Sequence, residues 1–215
     1  MMRDLINFLT FPLRAVTLFE QDIFFIDSLR TERFRYVNRY CKGWTLDIGC
    51  GNNDFVTAFR RNLGIGIDLG DPKFDPPKIL IDKSAFQTVT FVACINHIPC
   101  SIRFEEIKEA YRILVPGGRI IVTMGNPVAE FLVHKLTEFY DRIFGTHTNP
   151  DYHRGMHEEE SYSLHNEIII DLLLKAGFRN IQIKYFWTQW FLNHLFIAEK
   201  PHAKNLEMDK KNHII

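Results

Sequence analysis

Two acids and two glycines stand at spacings that suit a nucleotide-binding turn. The sequence TLDIGCG at 45–51 contains Asp47, Gly49 and Gly51, and Asp68 follows seventeen positions after the second glycine. Glycine has no Cβ, so the backbone can turn tightly there and approach a ligand. A helix after this turn would offer unpaired N–H groups to an anion, and Asp68 could accept both hydroxyls of a ribose. The spacing therefore predicts a strand–turn–helix–strand unit that holds an adenosine-bearing cofactor.

Apolar strands and amphipathic helices alternate on both sides of this unit. Strands this apolar suit a parallel sheet covered on both faces, and the short link between the last two strands requires antiparallel pairing. The sequence predicts an α/β, Rossmann-like, doubly wound sheet of seven strands, mostly parallel, with one antiparallel strand near the C-terminal edge. We expect the PGG sequence at 116–118 to end one helix, and Ser163 and Gly177 to cap the last. The expected strands are 45–49, 64–68, 78–82, 89–95, 119–125, 181–187 and 190–200, and the expected helices are 54–62, 103–114, 127–144 and 164–176.

Leucines at helical spacing mark the N-terminal segment. Leu5, Leu9 and Leu13 recur every four positions and predict one or two short amphipathic helices, interrupted at Pro12. This stripe either packs on the sheet domain, or it forms a lid or a surface that touches a membrane or a lipid-like substrate. The expected organisation is a helical cap or lid at 1–42, a cofactor-binding domain at 43–200 and a polar tail at 201–215.

Size, charge and cysteine spacing narrow the class of protein. The 215 residues suit one domain with a sizeable core, and a net charge of zero argues against a nucleic-acid surface. The cysteines match no zinc pattern, so we expect no metal site and small, largely buried thiols. No secretory signal or membrane-spanning run is recognisable. We therefore expect a cytoplasmic protein, with residues 1–25 available for peripheral contact with the inner face of the membrane.

Five motifs in order resemble those of the class I S-adenosylmethionine-dependent methyltransferases, most closely the type 11 group that includes quinone-biosynthesis C-methyltransferases. The resemblance covers residues 43–200. LDIGCG is similar to the first motif of the family and GIDLG to its second, while VTFVACINHIP resembles the fourth-strand motif. EAYRILVPGGRIIVT resembles the helix, turn and strand that follow, and LLKAGFRNIQIK with HLFIAEKP resembles the last helix and closing hairpin.

The resemblance implies a residue-level cofactor site. Asp47 and the glycine turn would surround the methionine part of S-adenosyl-L-methionine, Asp68 would take the ribose and Leu69 would touch adenine. Asp82 resembles the acid on the adenine side. The residues implied in cofactor binding are Asp47, Gly49, Cys50, Gly51, Asp68, Leu69, Asp82, Ala93 and Asn96.

The sequence departs from the family pattern in two places. Only KSAFQ separates Asp82 from the next strand, so Asp82 is either the adenine-side acid or a remnant of a later acidic turn; the first is favoured. Asn96 stands where the family commonly has Glu, which puts a catalytic carboxylate there in doubt.

Methyl transfer would be an in-line displacement at the sulfonium methyl, with S-adenosyl-L-homocysteine as the product. Orientation of the reactants alone can lower the activation barrier by on the order of 7–11 kcal/mol. A base is needed only for an alcohol or phenol acceptor. Histidine titrates near neutral pH, so the candidate bases are His97, which is favoured, and His153 or His157 in the predicted loop at 145–163. The acceptor would be a small molecule, with a lipid-like compound or saccharide favoured by the apolar N-terminus.

Two other functions remain open. A nicotinamide-dependent oxidoreductase would use a Rossmann sheet too, but its GxGxxG turn would have Asp54 at the third glycine, where a pyrophosphate would be repelled. A non-catalytic relative that retains the fold would be expected to have lost Asp68 or the glycine turn, and both are present.

Overall fold

The computed structural model describes residues 2–17, 21–68, 82–126 and 164–202, with the single positions 128, 135, 142 and 145. The helices are α1 (Met2–Thr17), α2 (Leu29–Asn38), α3 (Cys100–Ile113) and α4 (Asn166–Ala176). The strands are β1 (Thr45–Ile48), β2 (Gly64–Ile67), β3 (Phe86–Val92), β4 (Leu114–Gly125), β5 (Arg179–Tyr185) and β6 (Asn193–Glu199).

The strands form one sheet in the order β2-β1-β3-β4-β6-β5. Strands β2, β1, β3 and β4 are parallel, and β6 runs antiparallel to both β4 and β5. This confirms the predicted α/β sheet with one antiparallel strand near its edge. The described residues contribute six strands; the seventh predicted strand, at 78–82, lies outside them except for Asp82, as do most of the predicted helix at 127–144 and loop at 145–163.

Alternate side chains of the central strands face two separate apolar clusters. On β4, Ile120 and Val122 join the cluster that contains residues of α3 and α4, whereas Ile121 joins the cluster that contains residues of α2. Because successive strand residues point to opposite faces, one strand can bury both of its sides. The sheet is therefore covered on both faces, which holds the carboxyl ends of its parallel strands in fixed register.

Some boundaries differ from those expected. Helix α3 ends at Ile113, before the PGG sequence, because the chain continues directly into β4. The Lys200 ammonium donates hydrogen bonds to the carbonyl oxygens of Tyr111 and Leu114 at this junction. Helix α4 begins at Asn166, two residues later than predicted, with His165 rather than Ser163 in the capping position. Gly177 ends it at φ 103°, as predicted.

The predicted helix at 54–62 is a short π-helical turn, Phe55–Phe59. Its backbone hydrogen bonds join residues five apart, as from the Arg60 N–H to Phe55 O. Asp54 precedes the turn but makes no capping bond; its carboxylate pairs instead with Arg30 at 2.6 Å. The chain therefore does not offer the longer helix N-terminus that the sequence predicted.

Helix α1 packs on the sheet domain through a side that carries Asn7, Phe11 and Arg14. Asn7 and Arg14 are buried, and the Arg14 guanidinium pairs with Glu32 of α2 at 2.9 Å. Leu5, Leu9 and Leu13 lie on the opposite side and are each more than half exposed. The interpretation of this leucine stripe as a packing face is therefore wrong.

Among the described residues, none of the helices combines the length and apolarity that crossing a bilayer requires.

Candidate cofactor site

The turn after β1 depends on two glycines for different reasons. Gly49 and Gly51 have φ values of 72° and 52°, a region that favours glycine. A Cβ at Gly49 would also lie 2.6 Å from the Cys94 Cβ, whereas one at Gly51 would meet open space. The N–H groups of Gly49 and Cys50 both donate to Ile67 O of β2. The turn is thus pinned to the neighbouring strand and leaves room above Gly51.

Asp47 is a buried carboxylate at the end of β1. It is 1% exposed, and the Thr90 hydroxyl of β3 donates to its Oδ1 at 2.6 Å. Loss of water raises the pKa of Asp47 to about 7, and the negative charge of Asp68 contributes to the increase. A cationic ligand group placed beside it would favour the ionised form and recover part of the lost hydration energy.

Asp68 joins the end of β2 to the glycine turn. Its Oδ2 accepts a hydrogen bond from the Gly51 N–H at 2.7 Å across seventeen residues of sequence. Asp68 is half-buried, and its charge is felt at Asp47, Cys50 and Cys94. The two acids that the sequence selected therefore lie around one turn, at the carboxyl edge of the sheet.

Asn53 belongs to this site, although it is not among the residues predicted from the sequence. Its backbone has φ 61°, and its Oδ1 is buried without a hydrogen-bond partner in the described chain. A Cβ on Gly66 would lie 2.2 Å from this oxygen, so Gly66 leaves the space that Asn53 occupies. The recognisable signal was the second GxG, in GIGID, whose middle glycine gives Asn53 room.

The end of β3 forms the next wall of the site. Ala93 has φ 57°, and its N–H donates to the Thr123 hydroxyl of β4 at 2.9 Å. Asn96 and His97 follow in a single 3-10 turn and are half-buried. The turn is fixed by Arg103 of α3, whose guanidinium donates to Ile95 O and Ile98 O at 3.0 and 2.7 Å.

The cysteines near the site are protonated thiols. Burial raises the pKa of Cys50 to about 12 and that of Cys94 well above its ordinary value. The Cys94 thiol donates to Ile48 O at 2.9 Å. Because the thiolate is the reactive form, neither side chain is an activated nucleophile. Cys50 fits the expectation of buried thiols, whereas Cys100 is exposed.

The structure does not bring Asp82 to this edge. The Ala85 N–H bonds to Ile113 O at the end of α3, beside the amino end of β3. The pKa of Arg112, near the end of α3, is raised mainly by its hydrogen bond to Glu109 and further by the negative charge of Asp82. Asp82 therefore lies near this end of the helix. Asp47 and Asp68 are at the other end of the parallel strands. Leu69, His153 and His157 lie outside the described residues.

The donor set suits a cofactor with a cationic centre and a ribose. The carboxylates of Asp47 and Asp68 lie beside the glycine turn. The Asn53 Oδ1, which has no hydrogen-bond partner in the described chain, offers a further acceptor. A nearby ammonium or sulfonium group would stabilise the ionised form of a buried carboxylate that is partly protonated in the absence of ligand. The arrangement therefore fits the nucleoside cofactor that the motifs imply.

Comparison with known proteins points to the same class. No protein-family model matches the chain. The ubiquinone/menaquinone biosynthesis C-methyltransferase UbiE of Desulfotalea psychrophila is 27% identical over 140 residues, which cover 62% of this chain and 55% of that protein. The match thus spans about half the length of this curated relative.

Solved structures share the fold at low identity. A SAM-dependent methyltransferase from Thermotoga maritima superposes with a TM-score of 0.54 at 17% identity, covering 80% of this chain and 89% of that chain. One from Archaeoglobus fulgidus gives 0.52 at 18%, with 80% and 93% covered. The Burkholderia thailandensis 1,6-didemethyltoxoflavin-N1-methyltransferase, solved with its substrate and S-adenosylhomocysteine, gives 0.53 at 13%, with 80% and 78% covered.

Sheet order and these similarities define the fold. The chain has the fold of the class I S-adenosylmethionine-dependent methyltransferases, and over 140 residues its sequence is similar to that of a UbiE C-methyltransferase.

Proposed function

We propose that this chain binds S-adenosyl-L-methionine at the carboxyl edge of β1, β2 and β3 and transfers its methyl group to a small acceptor. The observation that carries the proposal is the pairing of Asp68 with the Gly51 N–H beside the buried Asp47 carboxylate. When bound, S-adenosyl-L-methionine supplies a methyl group already activated on a positively charged sulfur, and S-adenosyl-L-homocysteine is left. The protein has to orient the reactants and exclude water.

The acids divide the work of holding the cofactor. Asp47 serves its ammonium group, where a cation offsets the cost of burying the carboxylate. Asp68 serves the ribose hydroxyls, which can donate to a carboxylate whose position is set by Gly51. Ala93 and Asn96 line the other side from the end of β3. Asp82 is left out of this assignment because of its position at the opposite end of the sheet.

His97 is the proposed base for an acceptor that must lose a proton. It stands in the 3-10 turn directly after β3, at the edge where an acceptor would reach the methyl group. Arg103 holds the carbonyls on both sides of this turn and so sets its position. His153 remains a second candidate from the sequence alone.

A nicotinamide-dependent activity is less well supported. A pyrophosphate needs a helix N-terminus, and here the glycine turn leads into only five residues of π-helix. Asp54 at its start is negative and already pairs with Arg30. A non-catalytic binding protein would share the cofactor site but show no turnover.

For the acceptor, we favour a lipid-like compound or a lipid-linked saccharide. The exposed leucines of α1 support this choice, and the similar UbiE protein is named for quinone biosynthesis. The proposed location is the cytoplasm, with residues 1–25 in contact with the inner face of the membrane; the cap segment is 1–42 and the catalytic domain 43–200.

Binding calorimetry with two matched aspartate variants tests the cofactor site. Asp68→Ala should weaken S-adenosyl-L-methionine binding by about 1–3 kcal/mol, the scale for losing a charged hydrogen-bond acceptor. Asp82→Ala should leave the affinity unchanged, because it lies at the far end of the sheet. Equal losses of affinity in the two variants, or no saturable binding by the folded wild type, would refute the site. The same titration with NAD tests the nicotinamide-dependent alternative.

Turnover separates an enzyme from a binding protein. With S-adenosyl-L-methionine and a panel of quinol, lipid and saccharide acceptors, formation of S-adenosyl-L-homocysteine should require the acceptor. His97→Ala should lower kcat strongly for hydroxyl acceptors and leave cofactor affinity nearly unchanged. An equally active variant would remove His97 from the mechanism.

A further inference from the structure

Helix α1 leaves a stripe of leucines exposed, unlike an ordinary surface helix. Its inward side carries Asn7 and Arg14, both 1% exposed, together with the buried ring of Phe11, whereas Leu9 on the outward side is 66% exposed. A surface helix of a water-soluble domain normally directs its apolar stripe to the core. The outward side has no charged or hydrogen-bonding side chain over its described residues, which are Met2, Leu5, Leu9, Pro12 and Leu13.

A buried polar network holds the helix in this orientation. The Asn7 amide donates to the Asp27 carboxylate at 2.9 Å, and Arg14 donates to Asp27 O and to Glu32. Gln189, between β5 and β6, donates to the same Glu32 oxygen. Rotating α1 to bury the leucines would strip these groups of their partners, so the apolar side stays outward.

The turn after α1 exposes further apolar side chains. Phe24 is 95% exposed and has φ 48°, a conformation that a bulky residue rarely adopts, and Phe25 is 63% exposed. Asp27, two residues after Phe25, pairs with Arg3 and Asn7 of α1. The two phenylalanines therefore lie beside the N-terminal half of the helix.

Two tryptophans flank the same helix, and the indole of one of them is hydrogen-bonded to its backbone. The Trp190 indole N–H donates to Phe8 O at 3.0 Å, and the rings of Trp187 and Trp190 lie 5.8 and 6.1 Å from that of Phe8. Both indoles remain partly exposed. Half-exposed tryptophan beside a leucine-rich face is typical of helices that lie at a membrane–water interface.

The size of the face argues against a second copy of the chain. The 16 residues of α1 span about 24 Å, and a strip about 10 Å wide gives about 240 Å². A stable dimer buries about 800 Å² per partner. Even with the Phe24–Phe25 turn added, the face falls short, whereas a bilayer needs only a few inserted apolar side chains.

Charge favours an anionic bilayer. Residues 1–42 contain seven Arg or Lys and five Asp or Glu, whereas the whole chain has 26 of each. The cap segment is therefore net positive, and the remainder is net negative by the same amount. The segment that carries the apolar face is thus the more cationic part of the sequence, which favours contact with negatively charged headgroups.

We propose that the outer face of α1, with the Phe24–Phe25 turn, docks this protein on the surface of an anionic lipid bilayer. Leu5, Leu9 and Leu13 enter the boundary between headgroups and acyl chains, and Trp187 and Trp190 sit at the edge of the contact. This surface is independent of the cofactor site, so it can stand or fall without the proposed methyl transfer.

Vesicle sedimentation tests the docking directly. The wild-type chain should pellet with vesicles of phosphatidylcholine and phosphatidylglycerol at about 7:3, and several-fold less with phosphatidylcholine alone. Leu9→Ser/Leu13→Ser should reduce partitioning at least tenfold. Leu174→Ser, which changes an exposed leucine of α4, is the matched control and should bind as the wild type does.

A measurement on the unmodified chain guards against misfolded variants. Lipids brominated on their acyl chains should quench the tryptophan fluorescence of the wild type, because Trp187 and Trp190 would sit at the boundary. A wild type that stays in the supernatant, or fluorescence that these lipids leave unchanged, would overturn the proposal. A dimer in solution that Leu9→Ser/Leu13→Ser dissociates, without vesicle binding, would also overturn it and assign the face to a second copy.

Discussion

At the residue scale, the buried charge of Asp47 lowers the stability of the fold, whereas the same charge would favour binding of a cationic ligand. Its carboxylate is buried beside a neutral hydroxyl and within reach of the charge of Asp68. Neither neighbour offsets the lost hydration as a cation would. The buried charge that is proposed to serve a cationic cofactor group therefore lowers the stability of the ligand-free protein.

Asp47→Asn should stabilise the ligand-free protein by about 1–3 kcal/mol at pH 8, because the amide carries no charge. The pKa of Asp47 is about 7 in the folded state, above the ordinary value of about 3.9. The folded state thus holds its proton more tightly, and wild-type stability falls as pH rises through this window. Urea unfolding at pH 5 and pH 8 should show a smaller difference between variant and wild type at pH 5.

The same variant should bind S-adenosyl-L-methionine more weakly than the wild type does. An Asp47→Asn protein that is less stable than the wild type at pH 8 would contradict this account of the buried charge.

At the scale of single elements, strand β6 was predicted well but its buried histidine was not. His194 is 1% exposed, with Nε2 hydrogen-bonded to Asn166 of α4 at 2.9 Å and Nδ1 without a partner in the described chain. Tyr185 and Phe196 pack around its ring. Burial lowers the pKa of His194 to about 4, so the folded state keeps it neutral.

His194→Gln should make the protein less sensitive to acid. The pKa of His194 is lower in the folded state than in the unfolded chain, so its contribution is intact above about pH 6.5 and is lost as pH falls toward 4. Between pH 7 and pH 5, the wild type should therefore lose about 1–2 kcal/mol more than the variant. Urea unfolding at both pH values measures this difference. Exposed His202 supplies the control, and a His202→Gln protein should keep the wild-type slope.

At the scale of the whole molecule, the first and last elements are joined through a buried ion pair. Arg14 of α1 meets Glu32 of α2, which also accepts from Gln189 between β5 and β6. Tyr36 of α2 adds a hydrogen bond to Thr188 at 3.0 Å. The cap segment is thus bound to the sheet domain at its C-terminal hairpin.

Arg14→Leu should lower the free energy of unfolding by about 3–5 kcal/mol, because it leaves Glu32 buried without its cation. Arg14→Leu/Glu32→Leu should recover part of that loss. Arg112→Leu, which removes an exposed pair with Glu109, should cost less than about 1 kcal/mol. Denaturant unfolding of the three variants makes the comparison, and equal costs for the two arginines would show that the buried network does not secure the cap.

The sequence by itself determined the alternation of strands and helices, the antiparallel closing strands and the glycine turn after β1. Those features depend on local periodicity and on short spacings, so Asp47, Gly49 and Asp68 could be selected without coordinates. Side-chain period also predicted a helix at the N-terminus, but the expected interruption at Pro12 is wrong, because α1 continues through it to Thr17. The period could not tell which side of the helix faces inward.

Only the tertiary structure decided which end of the sheet, and which face of a helix, each residue occupies. Asp82 lies at the amino end of β3 rather than at the cofactor edge, and Asn53 enters the site because Gly66 leaves it room. Leu9 faces outward because Arg14 finds its buried partners inside. Such placements are set by contacts between residues far apart in sequence, and a local pattern carries no information about them.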